Sequence, residues 1–212
     1  MKKTIICAVA GILLLSGCAA DKGAVVGESG AVRVESAGIE IDFPENWTVY
    51  TGDNMYSLIY ERYSDTYSDV KSMKNALKTG GQEYILYALS DTGNAIALVT
   101  AQDLTVDSDG EKLDEVVTAA DYARSVHDNT IFDYRAGGYI TTGSSFGEVT
   151  LGGKSGWLSA FDVKENEDDS EILLGMSEFM FEQGNNVYSV QLLYSDEESR
   201  AQTEAVELAG LA

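Results

Sequence analysis

The stretch GIEIDFPENW, positions 38–47, decides how the folded part of this chain begins. Its apolar residues alternate with acidic ones as far as Phe43, which is typical of a strand with one buried face. Pro44 ends this strand, because proline cannot donate a hydrogen bond to a neighbouring strand. Trp47 and Val49 then resume the alternation and predict a second extended segment.

The middle of the chain predicts helices on either side of a hairpin. Four tyrosines spaced four, three and four residues apart indicate the first helix, and apolar residues at helical spacing indicate the other two. Two alternating runs flank a short Gly-containing turn, which is typical of a hairpin. The helices are expected at Tyr56–Tyr67, Asp69–Lys78 and Glu111–His127, and the hairpin strands at Tyr84–Leu89 and Ala95–Ala101.

The last third changes to a period of two residues, which predicts a meander of antiparallel strands. A capping box beginning at Ser195 indicates a terminal helix. Helices combined with such strands predict an α+β fold, an α/β/α sandwich in which helices pack on a mostly antiparallel sheet. The meander strands are expected at Ile140–Thr142, Phe146–Leu151, Trp157–Val163, Leu173–Glu182 and Val187–Tyr194.

Three segments of this pattern resemble the PsbP-like fold. Positions 38–47 look like its opening strand, proline and tryptophan, 151–157 like its central glycine turn, and 186–190 like its penultimate strand. The similar order of elements implies one domain over 38–212. Known members of this family include the extrinsic PsbP subunit of photosystem II and a Ran-binding transport factor. They dock onto other proteins without a common catalytic site, so the resemblance implies binding.

The first residues have the composition of an export signal. Two lysines precede an eleven-residue apolar run, Ile5–Leu15, which is much shorter than the roughly 20 residues of a membrane-spanning helix. The run ends in Leu-Ser-Gly-Cys and resembles the bacterial lipobox. The resemblance implies cleavage of residues 1–17, lipidation of Cys18 and a membrane-anchored protein on the extracytoplasmic face. Two acyl chains hold a protein stably at a bilayer, whereas one chain holds it only reversibly.

The two cysteines of the chain are both assigned by this interpretation. Cys7 is removed with the signal and Cys18 carries lipid, so disulfides, thiolate metal sites and cysteine nucleophiles are excluded from the folded body. Residues 18–37 are rich in Gly, Ala and Ser, a composition that predicts a flexible tether between the lipid and the domain.

The chain is strongly acidic, with 35 Asp and Glu against 14 Lys and Arg and a net charge of −21. This balance excludes nucleic acid as the main partner, because binding nucleic acid requires clustered basic residues. It favours a basic protein or a cell-envelope component. The densest acidic run is the candidate partner-binding segment, and it comprises Glu165, Glu167, Asp168, Asp169 and Glu171.

A second acidic segment is a weak candidate for a calcium site. Asp107, Asp109 and Glu111 are closely spaced around Gly110, as in a calcium-binding loop. The pattern is incomplete, because Thr105 stands at the first ligand position. A solvated loop is therefore favoured, and no cofactor is expected unless calcium binds here.

Two short segments match catalytic or phosphate-binding motifs, but the residues around them do not fit these motifs. Positions 143–147 fit G-x-S-x-G, but the residues after Ser145 alternate like a strand, and the only histidine, His127, precedes the serine. Positions 147–155 nearly match a phosphate-binding loop, but a glycine occupies the lysine position. His127 is expected near a helix C-terminus, where an imidazolium interacts favourably with the helix dipole.

The sequence thus predicts a lipid-anchored, non-catalytic module that binds a protein or envelope partner through an acidic surface. Trp47, Trp157 and the tyrosines are expected mainly in the core, although aromatic rings also stack on sugars. Two alternatives stay open. One is a carboxylate-based hydrolase of envelope polymers, for which two well-placed carboxylates suffice, and the other is a protein that binds a divalent cation.

Overall fold

The computed structural model of the protein describes residues 31–114, 117–167 and 171–210. Its strands form one sheet of seven strands and one of three. In chain order the elements are β1 Ala31–Val34, β2 Ile39–Asp42, β3 Trp47–Tyr50, α1 Gly52–Tyr63, α2 Val70–Thr79, β4 Gln82–Ser90, β5 Ala95–Asp103, α3 Ala119–Ala136, β6 Ile140–Leu151, β7 Lys154–Lys164, β8 Leu174–Gln183, β9 Asn186–Tyr194, α4 Glu197–Glu204 and β10 Glu207–Gly210.

The seven-stranded sheet has the order β3-β4-β5-β9-β8-β7-β6, and neighbouring strands are antiparallel throughout. The β4–β5 hairpin and the meander from β6 to β9 confirm the predicted strands, except that Ile140–Thr142 and Phe146–Leu151 are two parts of the single strand β6. Between β6 and β7 the chain reverses at Gly152 and Gly153, whose φ angles are +53° and +74°. A two-residue turn of this kind requires positive φ at both positions, which glycine adopts without strain.

One face of this sheet, here called the helix face, is covered by α1, α2 and α3. Met55 and Ile59 of α1, Met73 of α2 and Ile131 of α3 are buried against it. The predicted helices at α1 and α2 are confirmed, although α1 begins and ends four residues earlier than expected. Helix α2 begins with a capping box between Asp69 and Ser72.

The opposite face, here called the small-sheet face, is covered by the sheet β1-β2-β10 and by α4. Ile39 and Ile41 of β2 are fully buried there, and Phe43 and Trp47 stack with ring centroids 5.6 Å apart. Arg200 of α4 binds Asp162, whose side chain points away from the helix face. Helices therefore lie on both faces of an antiparallel sheet, and the predicted α+β class is confirmed.

Two helix predictions are wrong in position. The third helix begins at Ala119 rather than Glu111, because the Thr118 hydroxyl caps the Asp121 amide, and it continues to Ala136. His127 is therefore in the middle of α3 instead of at its end. The last helix is capped by Asp196 and Ser199 instead of Ser195 and Glu198.

Both ends of the predicted domain also differ from the expectation. β1 pairs with β2, so residues 31–37, expected in the tether, belong to the folded body. Val34 and Ala37 are buried there, and a composition rich in small residues conceals this short alternation. The chain also continues beyond α4 into β10, which pairs with the other side of β2.

The proposed signal sequence, Cys18 and residues 19–30 lie outside the described residues. Within the described ranges, no helix is long and apolar enough to cross a membrane.

Candidate binding cleft

An open cleft lies between the first half of α3 and the β6–β7 hairpin. It consists of two adjoining depressions of about 480 and 280 Å³, and both are lined by Glu148 and Trp157. These two residues face each other across the β6–β7 pairing. The larger depression continues along the hairpin past Thr150 and Ser155, and the smaller one reaches α3. We call this feature the cleft.

The α3 wall of the cleft carries both signs of charge. The helical spacing of buried residues such as Ala123 and Val126 determines which side of α3 packs on the sheet. Asp121 and Arg124 are exposed next to this buried side of the helix. The Arg124 guanidinium lies 4.2 Å from the centre of the Phe146 ring, a cation–π contact. Asp121 is held by the Thr118 hydroxyl, which donates to its carboxylate at 2.7 Å.

A layer of polar side chains lies under α3 next to the cleft. His127 is 5% exposed, and its Nδ1 atom is 2.7 Å from the Ser159 hydroxyl. Its Nε2 atom is 3.3 Å from the hydroxyl of Ser144 on β6. Burial lowers the pKa of His127, and the positive charge of Arg124 lowers it further, although Asp128 acts in the opposite direction. The imidazole is therefore stabilised in its neutral form.

Glu178 continues this layer into the sheet. It faces Ser159 on β7, and the Ser189 hydroxyl on β9 donates to its Oε1 atom at 2.5 Å. Burial raises the pKa of Glu178, and this outweighs the lowering by Ser189 and Gln191. We call His127, Ser159, Glu178 and Ser189 the polar layer. The polar layer lies beneath α3, next to the cleft. Glu178 does not line the cleft itself.

The aromatic residues divide between core and cleft. Trp47 is 4% exposed and belongs to the core, whereas Trp157 is half-buried and lines both depressions. The tyrosines of the α1 region are half-buried against the helix face. Burial raises the pKa of Tyr84, and raises that of Tyr134 to about 12. The expectation of core packing therefore holds for Trp47, whereas Trp157 packs only partly against the core and also lines the cleft.

The candidate calcium loop is closed by its own hydrogen bonds. The Asp107 carboxylate accepts the backbone N–H groups of Asp109 and Glu111 at 3.0 and 2.9 Å. Within the described ranges, no three His, Cys, Asp or Glu side chains converge as metal ligands. The three acidic residues thus form a loop that is stabilised locally, and calcium binding stays a prediction.

The acidic run follows β7, at the opposite end of the hairpin from the cleft. Glu165, Glu167 and Glu171 are exposed, and Asp168 and Asp169 lie outside the described residues. The structure therefore separates this predicted partner-binding segment from the cleft, because β7 runs between them.

The rejected catalytic motifs are parts of the hairpin. Ser145 lies within strand β6, and residues 151–154 form the turn into β7. The contact between His127 and Ser144 was missed, as were Asp121 and Arg124, because these residues come from elements that only the fold brings together. The alternation of Phe146, Glu148 and Thr150 was the one available signal for the β6 side of the cleft.

No protein-family model and no curated protein matches the chain. Among solved structures, the chain is similar to cyanobacterial PsbP (CyanoP) from Synechocystis sp. PCC 6803, with 10% identity over 90% of this chain and 98% of that one and a TM-score of 0.49. It is also similar to LpqN, involved in cell envelope biogenesis of Mycobacterium tuberculosis, with 11% identity over 81% and 83% and a TM-score of 0.39. Neither similarity assigns a residue role to this chain.

Proposed function

We propose that this protein is a lipid-anchored extracytoplasmic module that binds another protein or a cell-envelope component, without catalysis, through the cleft. The observation that carries the proposal is the composition of the cleft wall. An indole, a phenyl ring, a guanidinium and two exposed carboxylates line the same depression, and the guanidinium lies over the phenyl ring. Aromatic residues and arginine supply most of the binding energy at protein interfaces, so this combination supports a recognition surface.

The anchor is proposed from Cys18 and the residues before it. A Cys18→Ala variant is expected to leave the membrane fraction, because it lacks the sulfur that carries the lipid. Mass spectrometry of the native protein is expected to find Cys18 as the first residue, with a diacylglyceryl group on its sulfur. A native protein with a free Cys18 thiol, or with residues 1–17 retained, would overturn the anchor.

The binding role is tested by crosslinking the full chain in its own cells and recovering it from detergent-solubilised membranes. Trp157→Ala removes the central ring of the cleft and is expected to lower partner recovery at least tenfold. Phe132→Ala is the matched aromatic control, because Phe132 is 68% exposed on α3 and does not line the cleft. Equal recovery with both variants would contradict the assignment of the cleft.

The acidic run is tested in the same experiment by neutralising its five residues to Gln and Asn. Exposed charges mainly raise association rates and salt dependence. We therefore expect this variant to bind its partner more slowly at low salt while keeping most of the recovery. Complete loss of recovery would move the site from the cleft to the acidic run, whose five residues are Glu165, Glu167, Asp168, Asp169 and Glu171.

A further inference from the structure

Strand β6 forms one edge of the seven-stranded sheet. Among the described residues it pairs with β7 alone, and it runs for 12 residues, whereas the opposite edge strand β3 has four. Long edges present unpaired backbone groups, and proteins usually protect them with lysine, proline or a covering element. β6 contains neither lysine nor proline, and Glu148 is its only charged residue.

The free backbone groups of this edge can be assigned from the pairing. Leu151 and Lys154 close the two-residue turn, so they form a hydrogen-bonded pair. Antiparallel ladders alternate between bonded and non-bonded pairs. The N–H and C=O groups of Thr150, Glu148 and Phe146 therefore point away from β7, toward the open side of the sheet.

These three residues also line the cleft with their side chains. Free backbone groups and cleft side chains thus come from the same positions, an arrangement that suits recognition of an extended peptide, in which backbone bonds provide affinity and side-chain sites provide specificity. We propose that an extended basic segment of a partner protein adds to β6 as an antiparallel strand and places alternate side chains in the cleft. This inference rests on the proposed function of the cleft.

The charge of the occupant follows from the residues around the edge. Glu148 and Asp121 are exposed carboxylates on the two sides of the cleft, while the Arg124 charge lies over the Phe146 ring. A lysine or arginine side chain reaching inward from an added strand enters a depression that both carboxylates line. A second copy of this chain is disfavoured, because each copy carries a net charge of −21.

A bulge limits the length of the added strand. The register between β6 and β7 shifts between Thr142 and Ser145, where Gly143 has a φ angle of +63°. This left-handed conformation suits glycine and bends the strand. The regular part of the edge is therefore Ser145–Leu151, which accommodates a segment of about seven residues at the usual strand spacing.

The probe is a blocked eight-residue peptide of alternating Lys and Thr, titrated into the full chain in detergent. Trp157 fluorescence reports binding, and Trp47→Phe removes the other tryptophan of the chain. Hydrogen exchange is expected to slow at Phe146, Glu148 and Thr150 in the complex. The corresponding Glu/Thr peptide is expected not to bind.

Backbone methylation of the probe separates strand addition from simple contact with the cleft. In an antiparallel addition, residues whose side chains enter the cleft direct their N–H groups toward β6. Methylating the lysine nitrogens is therefore expected to abolish binding, whereas methylating the threonine nitrogens changes the affinity by less than about twofold. Binding that survives both methylations would overturn strand addition. Loss of the hydrogen-exchange protection in Trp157→Ala, a variant that lacks the fluorescent reporter, would still support the cleft.

Charge reversal tests the basic character of the segment. Glu148→Lys is expected to lower the affinity for the Lys/Thr peptide about tenfold, because the attraction between residue 148 and the peptide lysines becomes a repulsion. Glu45→Lys makes the same change at an exposed residue before β3, the opposite edge strand, and is the matched control. Equal weakening by both variants would assign the effect to net charge and overturn the local role of Glu148. A dimer paired through β6, or protection of the same amides by an envelope polysaccharide alone, would also overturn the proposed occupant.

Discussion

The two faces of the central strands of the seven-stranded sheet differ where α3 packs on them. On the small-sheet face, Phe179, Phe181 and Tyr188 stack in a continuous row with centroids 5.4 and 5.8 Å apart. On the helix face, the same strands carry Glu178 and Ser189 under α3. Both faces are held largely by apolar packing, and the helix face also includes a buried network of hydrogen bonds.

This difference indicates a division of roles. Apolar packing gains free energy with the area that it buries, whereas a buried polar group costs free energy unless it is paired. The helix face retains these polar groups directly beneath the element that carries Asp121 and Arg124 to the cleft. We infer that apolar packing on both faces supplies most of the stability, while the polar layer sets the position of α3 over the cleft.

The largest expected effect comes from opening a cavity on the small-sheet face. Phe181 is fully buried, so Phe181→Ala is expected to lower the free energy of unfolding by about 3–5 kcal/mol. Chemical denaturation measures this change. Phe132→Ala, at a site that is 68% exposed, is expected to change it by less than about 0.5 kcal/mol. Similar losses in the two variants would contradict the assignment of the core.

A smaller effect is expected from breaking the polar layer. Ser189→Ala removes the hydroxyl that donates to Glu178, which leaves a buried carboxyl oxygen without its donor. The expected loss is about 1–3 kcal/mol in urea denaturation at neutral pH. Ser155→Ala, at an exposed serine that contacts Thr150, is the control and is expected to be nearly neutral. An unchanged Ser189→Ala variant would show that this hydrogen bond does not stabilise the helix face.

The pH dependence of stability sharpens the comparison further. The pKa of Glu178 is higher in the folded protein than in the unfolded chain, so folding favours its protonated form. Its stabilising contribution is fully present below the unfolded pKa, about 4.3, and is lost as pH rises through the folded pKa. Glu178→Gln is expected to remove this loss. The difference in unfolding free energy between variant and wild type should therefore grow with pH.

The exposed Glu182 on the same strand provides the control for this series. Glu182→Gln removes the same charge without burial, and its difference from wild type is expected to stay nearly constant over that pH range. Parallel pH profiles for Glu178→Gln and wild type would show that burial does not perturb Glu178.

The smallest expected effect concerns His127, whose pKa is lowered in the folded protein. Its stabilising contribution is present above the unfolded pKa, about 6.5, and is lost as pH falls through the folded pKa. Because the chain contains one histidine, NMR titration of the imidazole measures this pKa without mutation. The midpoint is expected below 6.5 in the folded protein and near 6.5 in urea. A folded midpoint at or above the urea value would contradict the buried, neutral imidazole.

The sequence by itself determined the elements that depend on neighbouring residues. Alternation predicted the β4–β5 hairpin and the meander, and helical spacing predicted α1 and α2, because side-chain periodicity is a local property. The start of α3 and the cap of α4 were misplaced, because several nearby residues can cap a helix and packing selects among them. Strand β1 was missed, since four residues form a strand here only through their pairing with β2.

Only the tertiary structure decided where function is expected. Asp121 and Arg124 are more than twenty residues from Glu148 and more than thirty from Trp157, and no local pattern relates them. Their meeting depends on how α3 crosses the meander, as does the contact of His127 with Ser159. The acidic composition alone predicts a basic partner, because the net charge is a sum over all residues and does not depend on the fold. The position of β6 at the edge of the sheet could be identified only from the order of the strands, because an edge strand is one with a neighbouring strand on one side only.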